Sequence, residues 1–161
     1  MTHPVRPRFR LAAAFLVIAA LAGCRPGKSA APAAPDKDVP PHGGTVVVLG
    51  TGIYRLELVL DSAAGRMDAY VLDSEVENFI RTKALSFELM ATVGGEKKTL
   101  TFRAMPNPAT GETVGDTSQF EAEADWLRTV RHFDAVLTEL PVRGTAYSNI
   151  SFKFPEGNDA D

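Results

Sequence analysis

The sequence predicts an all-β fold: an antiparallel β-sandwich of the immunoglobulin-like type, with about eight strands and one short helical turn near Trp126. Apolar and polar residues alternate over short runs, which is the pattern of strands with one buried face. Turn residues separate these runs at intervals of roughly ten residues, as in sandwiches and barrels. Helical spacing is confined to residues 124–130, so nothing indicates the alternating strands and helices of a parallel sheet.

The strands are placed by their alternation and by the turns between them. In the second strand Leu56 and Leu58 share one face, and Arg55 and Glu57 share the other. Gly94-Gly95 predicts the turn of a hairpin. The predicted strands are residues 45–49, 54–60, 67–71, 85–89, 100–104, 120–124, 133–142 and 147–154.

The first residues have the composition of an export signal. Arg6, Arg8 and Arg10 precede an apolar run at residues 11–21, which is too short to span a bilayer as a helix. The run ends in Leu21-Ala22-Gly23-Cys24, which resembles the lipobox of bacterial lipoproteins. The resemblance implies a signal peptide at residues 1–23, cleavage before Cys24 and attachment of fatty acyl chains such as palmitate to that cysteine. The alternative is an ordinary secretory signal followed by an incidental cysteine.

A lipidated Cys24 would anchor the chain to a membrane of the cell envelope, with its folded part facing the periplasm. Cys24 is the only cysteine in the sequence, so the domain has no disulfide although this compartment would allow one. Residue 25 is arginine, whereas aspartate at this position retains lipoproteins at the inner membrane in well-studied Gram-negative systems. The outer membrane is therefore favoured over the inner one.

Composition divides the rest of the chain into three parts. Residues 24–41, rich in proline and alanine after the cysteine, predict a tether, residues 42–155 the β-sandwich domain, and residues 156–161 a polar tail. Cleavage would remove three of the seventeen basic residues and none of the twenty acidic ones, which leaves fourteen against twenty and a formal charge of −6. Such an acidic chain is a poor candidate for binding nucleic acid, whose phosphates require a basic face, so we expect no nucleic-acid partner.

His42-Gly43-Gly44 is a candidate metal-binding motif. A neutral imidazole binds transition metals well, but one histidine does not make a site. The partner of His42 would be His132, a carboxylate or one of the methionines Met67, Met90 and Met105. The preferred interpretation of the motif is a turn with an incidental histidine. A calcium site at Asp73, Glu75 and Glu77 is disfavoured because no glycine lies between them, and a solvated strand end is the preferred interpretation.

Three segments resemble a known type of periplasmic domain. They are Pro41-His42-Gly43-Gly44-Thr45-Val46-Val47, Tyr54-Arg55-Leu56-Glu57-Leu58-Val59 and Asp68-Ala69-Tyr70-Val71-Leu72-Asp73. The pattern is similar to the β-domains found in or beside the membrane-fusion adaptor proteins of heavy-metal efflux systems, and it covers roughly residues 41–90. The resemblance implies a metal contact at His42 and an efflux-system partner. The sequence has no segment like an adaptor's coiled-coil hairpin, so an accessory role is implied.

Residues 106–120 form the longest stretch without periodicity, and long loops inside compact domains often have a function. Asn107, Thr110, Glu112 and Asp116 are the candidate contacts of a recognition loop. Asp116, Thr117 and Ser118 could supply a nucleophile, but no histidine adjoins them in sequence to activate it. Trp126 is expected to pack as a core plug beneath this loop.

These features favour a binding protein over an enzyme. No nucleophile motif such as G-x-S-x-G occurs, so we expect no catalytic residues and no resident cofactor. The preferred hypothesis is a membrane-anchored, non-enzymatic binding or accessory module that contacts a protein or polymer of the envelope. The alternative is a metal-handling accessory of a heavy-metal efflux system, with His42 binding a transition metal ion.

Overall fold

A computed structural model describes residues 39–158 of the chain. The predicted signal peptide, the lipidation site Cys24, most of the tether and the last three residues of the tail lie outside the described residues. Within them, eight strands and one 3-10 turn are present. The strands are β1 (Thr45–Leu49), β2 (Tyr54–Asp61), β3 (Arg66–Asp73), β4 (Ser86–Val93), β5 (Glu96–Ala104), β6 (Gln119–Glu123), β7 (Phe133–Val142) and β8 (Thr145–Phe154).

All eight strands belong to one antiparallel sheet in the order β1-β2-β3-β6-β5-β4-β7-β8. Its two end strands, β1 and β8, approach one another, so the sheet is nearly closed and the fold is sandwich- or barrel-like. The predicted all-β, antiparallel class with about eight strands is confirmed. No helix among residues 39–158 has the length and apolar character needed to cross a membrane.

The core lies between the inward faces of the curved sheet. Alternate residues of each strand point into it, so β1 contributes Val47 and Leu49 and β2 contributes Leu56 and Leu58, all buried. Aromatic rings fill the centre. Phe87 stacks on Phe102 with ring centroids 4.6 Å apart, and Phe120 meets Phe87 edge to face at 5.1 Å.

The residues after β8 close the gap between the two end strands. The side chain of Asn158 accepts a hydrogen bond from the Val48 backbone N–H (2.7 Å) and donates one to the Val48 carbonyl (3.1 Å), as a neighbouring strand would. Thr45 Oγ1 donates to the Pro155 carbonyl at 2.9 Å. The sequence predicted that residues 156–161 form a polar tail, but Asn158 in this segment is hydrogen-bonded to β1.

The 3-10 turn, Asp125–Arg128, follows β6, in the region where a short helical turn was predicted. Leu127 is its buried residue. Trp126 is half-buried and packs edge to face on Phe133, with ring centroids 5.3 Å apart. The turn thus adds to the core next to the start of β7.

Candidate functional site

The candidate site lies on the outer face of the sheet, where three neighbouring strands present a row of polar and aromatic residues. Glu57 on β2 pairs with Tyr70 on β3, which in turn pairs with Gln119 on β6. The adjacent residues Leu58 and Ala69 point into the core. The outer face here is covered by the segment before β1 and by two long connections, β3–β4 and β5–β6.

Glu57 is fully buried beneath the His42-Gly43-Gly44 motif. Its Oε1 atom accepts hydrogen bonds from the backbone N–H groups of His42 and Gly44, both at 2.9 Å. Its Oε2 atom lies 2.9 Å from Nδ1 of the His42 ring. Because both carboxyl oxygens act as acceptors, we assign a ring proton to Nδ1. In the neutral form of the ring, this leaves Nε2 as the acceptor.

The two glycines allow this close approach. Gly43 has φ +67°, in the left-handed region that glycine adopts without strain. A Cβ atom on Gly44 would lie 2.5 Å from the Leu58 carbonyl oxygen and 2.9 Å from Cγ of Glu57. The two glycines therefore let the backbone of the motif pack directly on β2, and the buried Glu57 side chain holds His42 in place.

Aromatic rings form one wall of the site. The His42 ring stacks on Tyr70 with centroids 3.9 Å apart, and Phe79 lies 6.0 Å from Tyr70 in an edge-on arrangement. Burial, with the nearby charges of Asp68 and Glu57, raises the pKa of the Tyr70 hydroxyl. This hydroxyl therefore stays protonated at neutral pH and can donate a hydrogen bond.

The β3–β4 connection positions Phe79 and Arg81. It begins with a turn in which Asp73 Oδ1 accepts from the backbone N–H groups of Glu77 (3.0 Å) and Asn78 (3.2 Å). Burial opposes the charged form of Asp73, but these bonds and one from the Asn78 side chain outweigh it and lower its pKa. The chain then pairs with the end of β3 through Leu72 and Phe79. Asp73 thus has a structural role at the strand end.

The β5–β6 loop is organised by Glu112, which is 6% exposed. Its Oε1 atom accepts from both the backbone N–H (2.9 Å) and the hydroxyl (2.7 Å) of Ser118, and Oε2 accepts from the Thr110 hydroxyl (2.9 Å). Burial is the largest influence and opposes ionisation, but these hydrogen bonds and the charge of Arg81 together lower the pKa of Glu112. Its carboxylate therefore stabilises the loop.

Arg81 joins the two connections. Its guanidinium group donates to Asp116 Oδ2 at 3.1 Å and to the Thr110 carbonyl at 2.5 Å, and its Nε atom lies 3.7 Å from Glu112. The aromatic wall and the loop thereby face each other across a pocket of about 450 Å³, within the range of small-molecule sites. The pocket is lined by His42, Tyr70, Phe79, Arg81, Asn107, Thr110, Glu112, Ser118 and Gln119.

Four of the candidate metal-binding and recognition-loop residues meet in this pocket: His42, Asn107, Thr110 and Glu112. Asp116 lies at its margin through its bond to Arg81. The hydroxyl of Thr117 donates to the Met105 carbonyl at 2.7 Å, and that of Ser118 donates to Glu112, so both are engaged within the loop.

Glu57, Tyr70 and Arg81 were missed as site residues. Strand alternation places Glu57 and Tyr70 on the outer face, which is ordinarily solvated. The available signal was an acidic residue between two leucines in Leu56-Glu57-Leu58, a short distance after two adjacent glycines.

Three of the residues proposed as metal-binding partners of His42, namely His132, Met67 and Met90, lie elsewhere. His132 lines a separate surface depression with Gly94 and Gly95. Met67 is buried in the core, and Met90 is on β4, four strands from β2 in the sheet. Among residues 39–158, no group of three or more histidine, cysteine, aspartate or glutamate side chains is arranged to hold a metal ion. Glu57 is the carboxylate next to His42, and it is bonded to Nδ1.

Comparison of the chain with models of known protein families, with curated proteins and with solved structures finds no match.

Proposed function

We propose that this protein is a membrane-anchored lipoprotein of the cell envelope whose β-domain is a non-enzymatic binding module. The anchor is inferred from the sequence: an export signal ending in Leu21-Ala22-Gly23-Cys24, followed by a proline-rich tether. Stable anchoring takes more than one acyl chain, as lipobox cysteines carry. The domain would then face the periplasm.

The main support for a binding function is the pocket between His42 and Glu112. Two segments that stand out independently in the sequence, the His42-Gly43-Gly44 motif and the β5–β6 loop, line one cavity of about 450 Å³. Each is fixed by a buried carboxyl group, Glu57 under the motif and Glu112 inside the loop. Such pre-arranged polar groups around a concave, partly aromatic surface favour recognition, because little ordering entropy is lost on binding.

The hydrogen bonds of the loop favour binding over catalysis. The Ser118 hydroxyl donates a hydrogen bond to Glu112, whose carboxylate also accepts one from Thr110 and lies close to Arg81. A serine nucleophile needs its hydroxyl proton accepted by a base that then releases it to the leaving group. In this pocket the acceptor is Glu112, whose carboxylate is already engaged in the hydrogen bonds that hold the loop together.

Site-specific photocrosslinking in cells tests this function. A photoreactive amino acid in place of Phe79, which is 47% exposed at the pocket, should form one defined adduct with the bound partner. The same group in place of Ile53, which is 58% exposed and lines a different depression, is the matched control. We expect the Phe79 adduct to be reduced by His42→Ala and to be absent at position 53. Equal labelling at both positions, or none at either, would contradict a binding pocket.

A second candidate function, metal handling beside an efflux system, is favoured by the Glu57–His42 pair. Histidine ligands of metal ions usually donate their other ring nitrogen to a carboxylate, which orients the free nitrogen. His42 has this arrangement, with Nδ1 2.9 Å from Glu57 Oε2. One imidazole supplies one ligand, so we propose that a partner protein or a bound chelating group would complete the coordination.

Calorimetric titration of the full chain with Zn²⁺ held by nitrilotriacetate, a chelating group that leaves a coordination position for one imidazole, separates the two functions. Metal handling predicts saturable binding that His42→Ala weakens and His132→Ala leaves unchanged, since the two histidines line different cavities. Binding that is equal in the two variants, or no heat of binding at all, would remove His42 from the role of metal ligand.

A further inference from the structure

A second cavity, of about 510 Å³, lies between residues 81–84 and the turn that joins β7 to β8. Its charged lining residues are Arg81, Lys83, Arg143 and a single acid, Asp116. The cavity is therefore basic in a chain with net negative formal charge. It differs from the pocket at His42, where the one arginine of the lining is matched by one acid, Glu112.

Two of these positive charges are uncompensated. Arg81 is bonded to Asp116 at 3.1 Å and lies 3.7 Å from Glu112. Within residues 39–158, neither Lys83 nor Arg143 forms an ion pair or a hydrogen bond through its side chain, and both are exposed. They face a common cavity with positive charge that no side chain among residues 39–158 neutralises.

The walls of the cavity are fixed by hydrogen bonds. Thr82 Oγ1 donates to the Pro141 carbonyl at 2.5 Å, which ties the β3–β4 connection to β7. The backbone of Thr82 also pairs with Thr117 in both directions, at 2.9 and 3.2 Å. Arg143 and Gly144 form a two-residue hairpin turn with φ +47° and +87°, the geometry that matches strand twist. The backbone at Lys83 and Arg143 is thus held in a defined position by these hydrogen bonds and by the hairpin turn.

We propose that this cavity is a binding site for a phosphate group. A phosphate monoester carries a charge of about −1.5 to −2 at neutral pH and three acceptor oxygens, which complements two unpaired cations. Arginine binds phosphate through paired N–H donors, and lysine does so as a point charge. The site goes beyond the proposed function, since it uses a different cavity and does not involve His42. The phosphate monoester could belong to a soluble compound or to a lipid whose headgroup ends in one, such as phosphatidic acid, and these share this chemistry.

Titration with inorganic phosphate, followed by the backbone amide signals of the ¹⁵N-labelled full chain carrying Cys24→Ser, tests the site. We expect saturable shifts at residues 82–84 and 142–144. The double variant Lys83→Gln/Arg143→Gln should bind about tenfold more weakly, since each charge-assisted contact is among the stronger hydrogen bonds. Lys97→Gln/Arg103→Gln removes the same charge from β5, outside the cavity, and should bind as the parent does.

Shifts that do not saturate, shifts elsewhere in the domain, or equal weakening in the two double variants would overturn the proposal. Equal weakening would mean that phosphate responds to net charge alone. A negative result for phosphate binding would not affect the crosslinking expected at Phe79, so the two proposals can fail independently.

Sedimentation with vesicles distinguishes the two sources of phosphate. If Lys83→Gln/Arg143→Gln lowers binding to vesicles containing phosphatidic acid, and the β5 double variant does not, the site takes a lipid headgroup. If vesicle binding is unchanged while phosphate binding is lost, the site takes a soluble phosphate compound. Both results retain the site.

Discussion

At the scale of single residues, two buried carboxyl groups hold the candidate site together. Glu57 accepts hydrogen bonds from the backbone and ring of the His42 segment, and Glu112 accepts three from Ser118 and Thr110. Removing an acceptor from a buried network leaves its donors unsatisfied, and each such group costs about 1–3 kcal/mol. Both acids are therefore structural supports of the pocket, and neither is expected to be the group that meets a ligand first.

Glu57→Gln tests how His42 is oriented. The glutamine oxygen can still accept from the two backbone N–H groups, but its amide nitrogen would then donate to Nδ1 of His42. We expect the neutral ring to change from the Nδ1–H to the Nε2–H tautomer, with a loss of about 1–3 kcal/mol in the free energy of unfolding. Imidazole ¹⁵N chemical shifts of the parent and the variant measure the tautomer. An Nε2–H tautomer in the parent would contradict the assigned hydrogen bond.

Glu112→Gln tests the electrostatic role of the loop acid through pH. The folded state lowers the pKa of Glu112 below its ordinary value of 4.5, so its carboxylate stabilises the fold fully above that value. This contribution is lost as the pH falls through the lowered pKa. We expect the variant to be about 1–2 kcal/mol less stable than the parent at pH 7, and the difference to shrink in acid.

Urea denaturation at neutral and acidic pH measures this difference. Glu139→Gln, at an exposed position on β7, is the control and should follow the parent at each pH. A stability difference for Glu112→Gln that does not change with pH would mean that the charge of Glu112 does not stabilise the loop.

At the scale of secondary-structure elements, the site depends on segments that fold back over the outer face of the sheet. The His42 segment lies on β2, and the β3–β4 connection pairs with the end of β3 and with Thr117 of the loop. These segments turn an ordinary solvated face into a covered one. They also explain why Tyr70, although it points away from the core, is only partly exposed.

The two glycines of the motif allow a matched test of this packing. Gly44→Ala places a Cβ atom 2.5 Å from the Leu58 carbonyl oxygen, which is fixed backbone. We expect it to reduce the free energy of unfolding by about 2 kcal/mol or more and to release His42 from Glu57.

In Gly43→Ala, no atom lies within 4 Å of the new Cβ. We expect the free energy of unfolding to fall by about 1 kcal/mol, because only the left-handed backbone conformation disfavours alanine there. Thermal unfolding and the His42 ring signals measure both variants. Equal effects would show that the contact between Gly44 and β2 is not what positions the motif.

Sequence patterns predicted the strands well but the site only in part. Alternation at Leu56 and Leu58 fixes the inward face of β2, because burial repeats every second residue. The same rule places Glu57 on the outer face, and it contains no information about what covers that face. The loop at residues 106–120 was recognisable from its length, whereas the hydrogen bonds of Glu112 depend on a fold-back that local spacing does not encode. Arg81 was missed because the β3–β4 connection has no periodicity.

At the scale of the whole molecule, the sheet is closed by the chain that follows β8. Asn158→Ala removes both hydrogen bonds to the Val48 backbone, and we expect a loss of about 1–3 kcal/mol in stability with faster hydrogen exchange at the Val48 amide. Glu156→Ala, at an exposed neighbouring position, is the control and should change neither quantity. Unchanged exchange at Val48 in the Asn158 variant would mean that the bridge does not hold the two end strands together.

The proposed function of the whole molecule depends on its proposed attachment to a membrane through Cys24, which would place the pocket at His42 in the periplasm. The most direct measurement is the mass of the protein isolated from cells that produce it naturally. The account predicts a chain that begins at Cys24 and carries fatty acyl groups, and a Cys24→Ser variant that keeps its signal segment and gains no lipid. An intact N-terminus with a free thiol at Cys24 would contradict it.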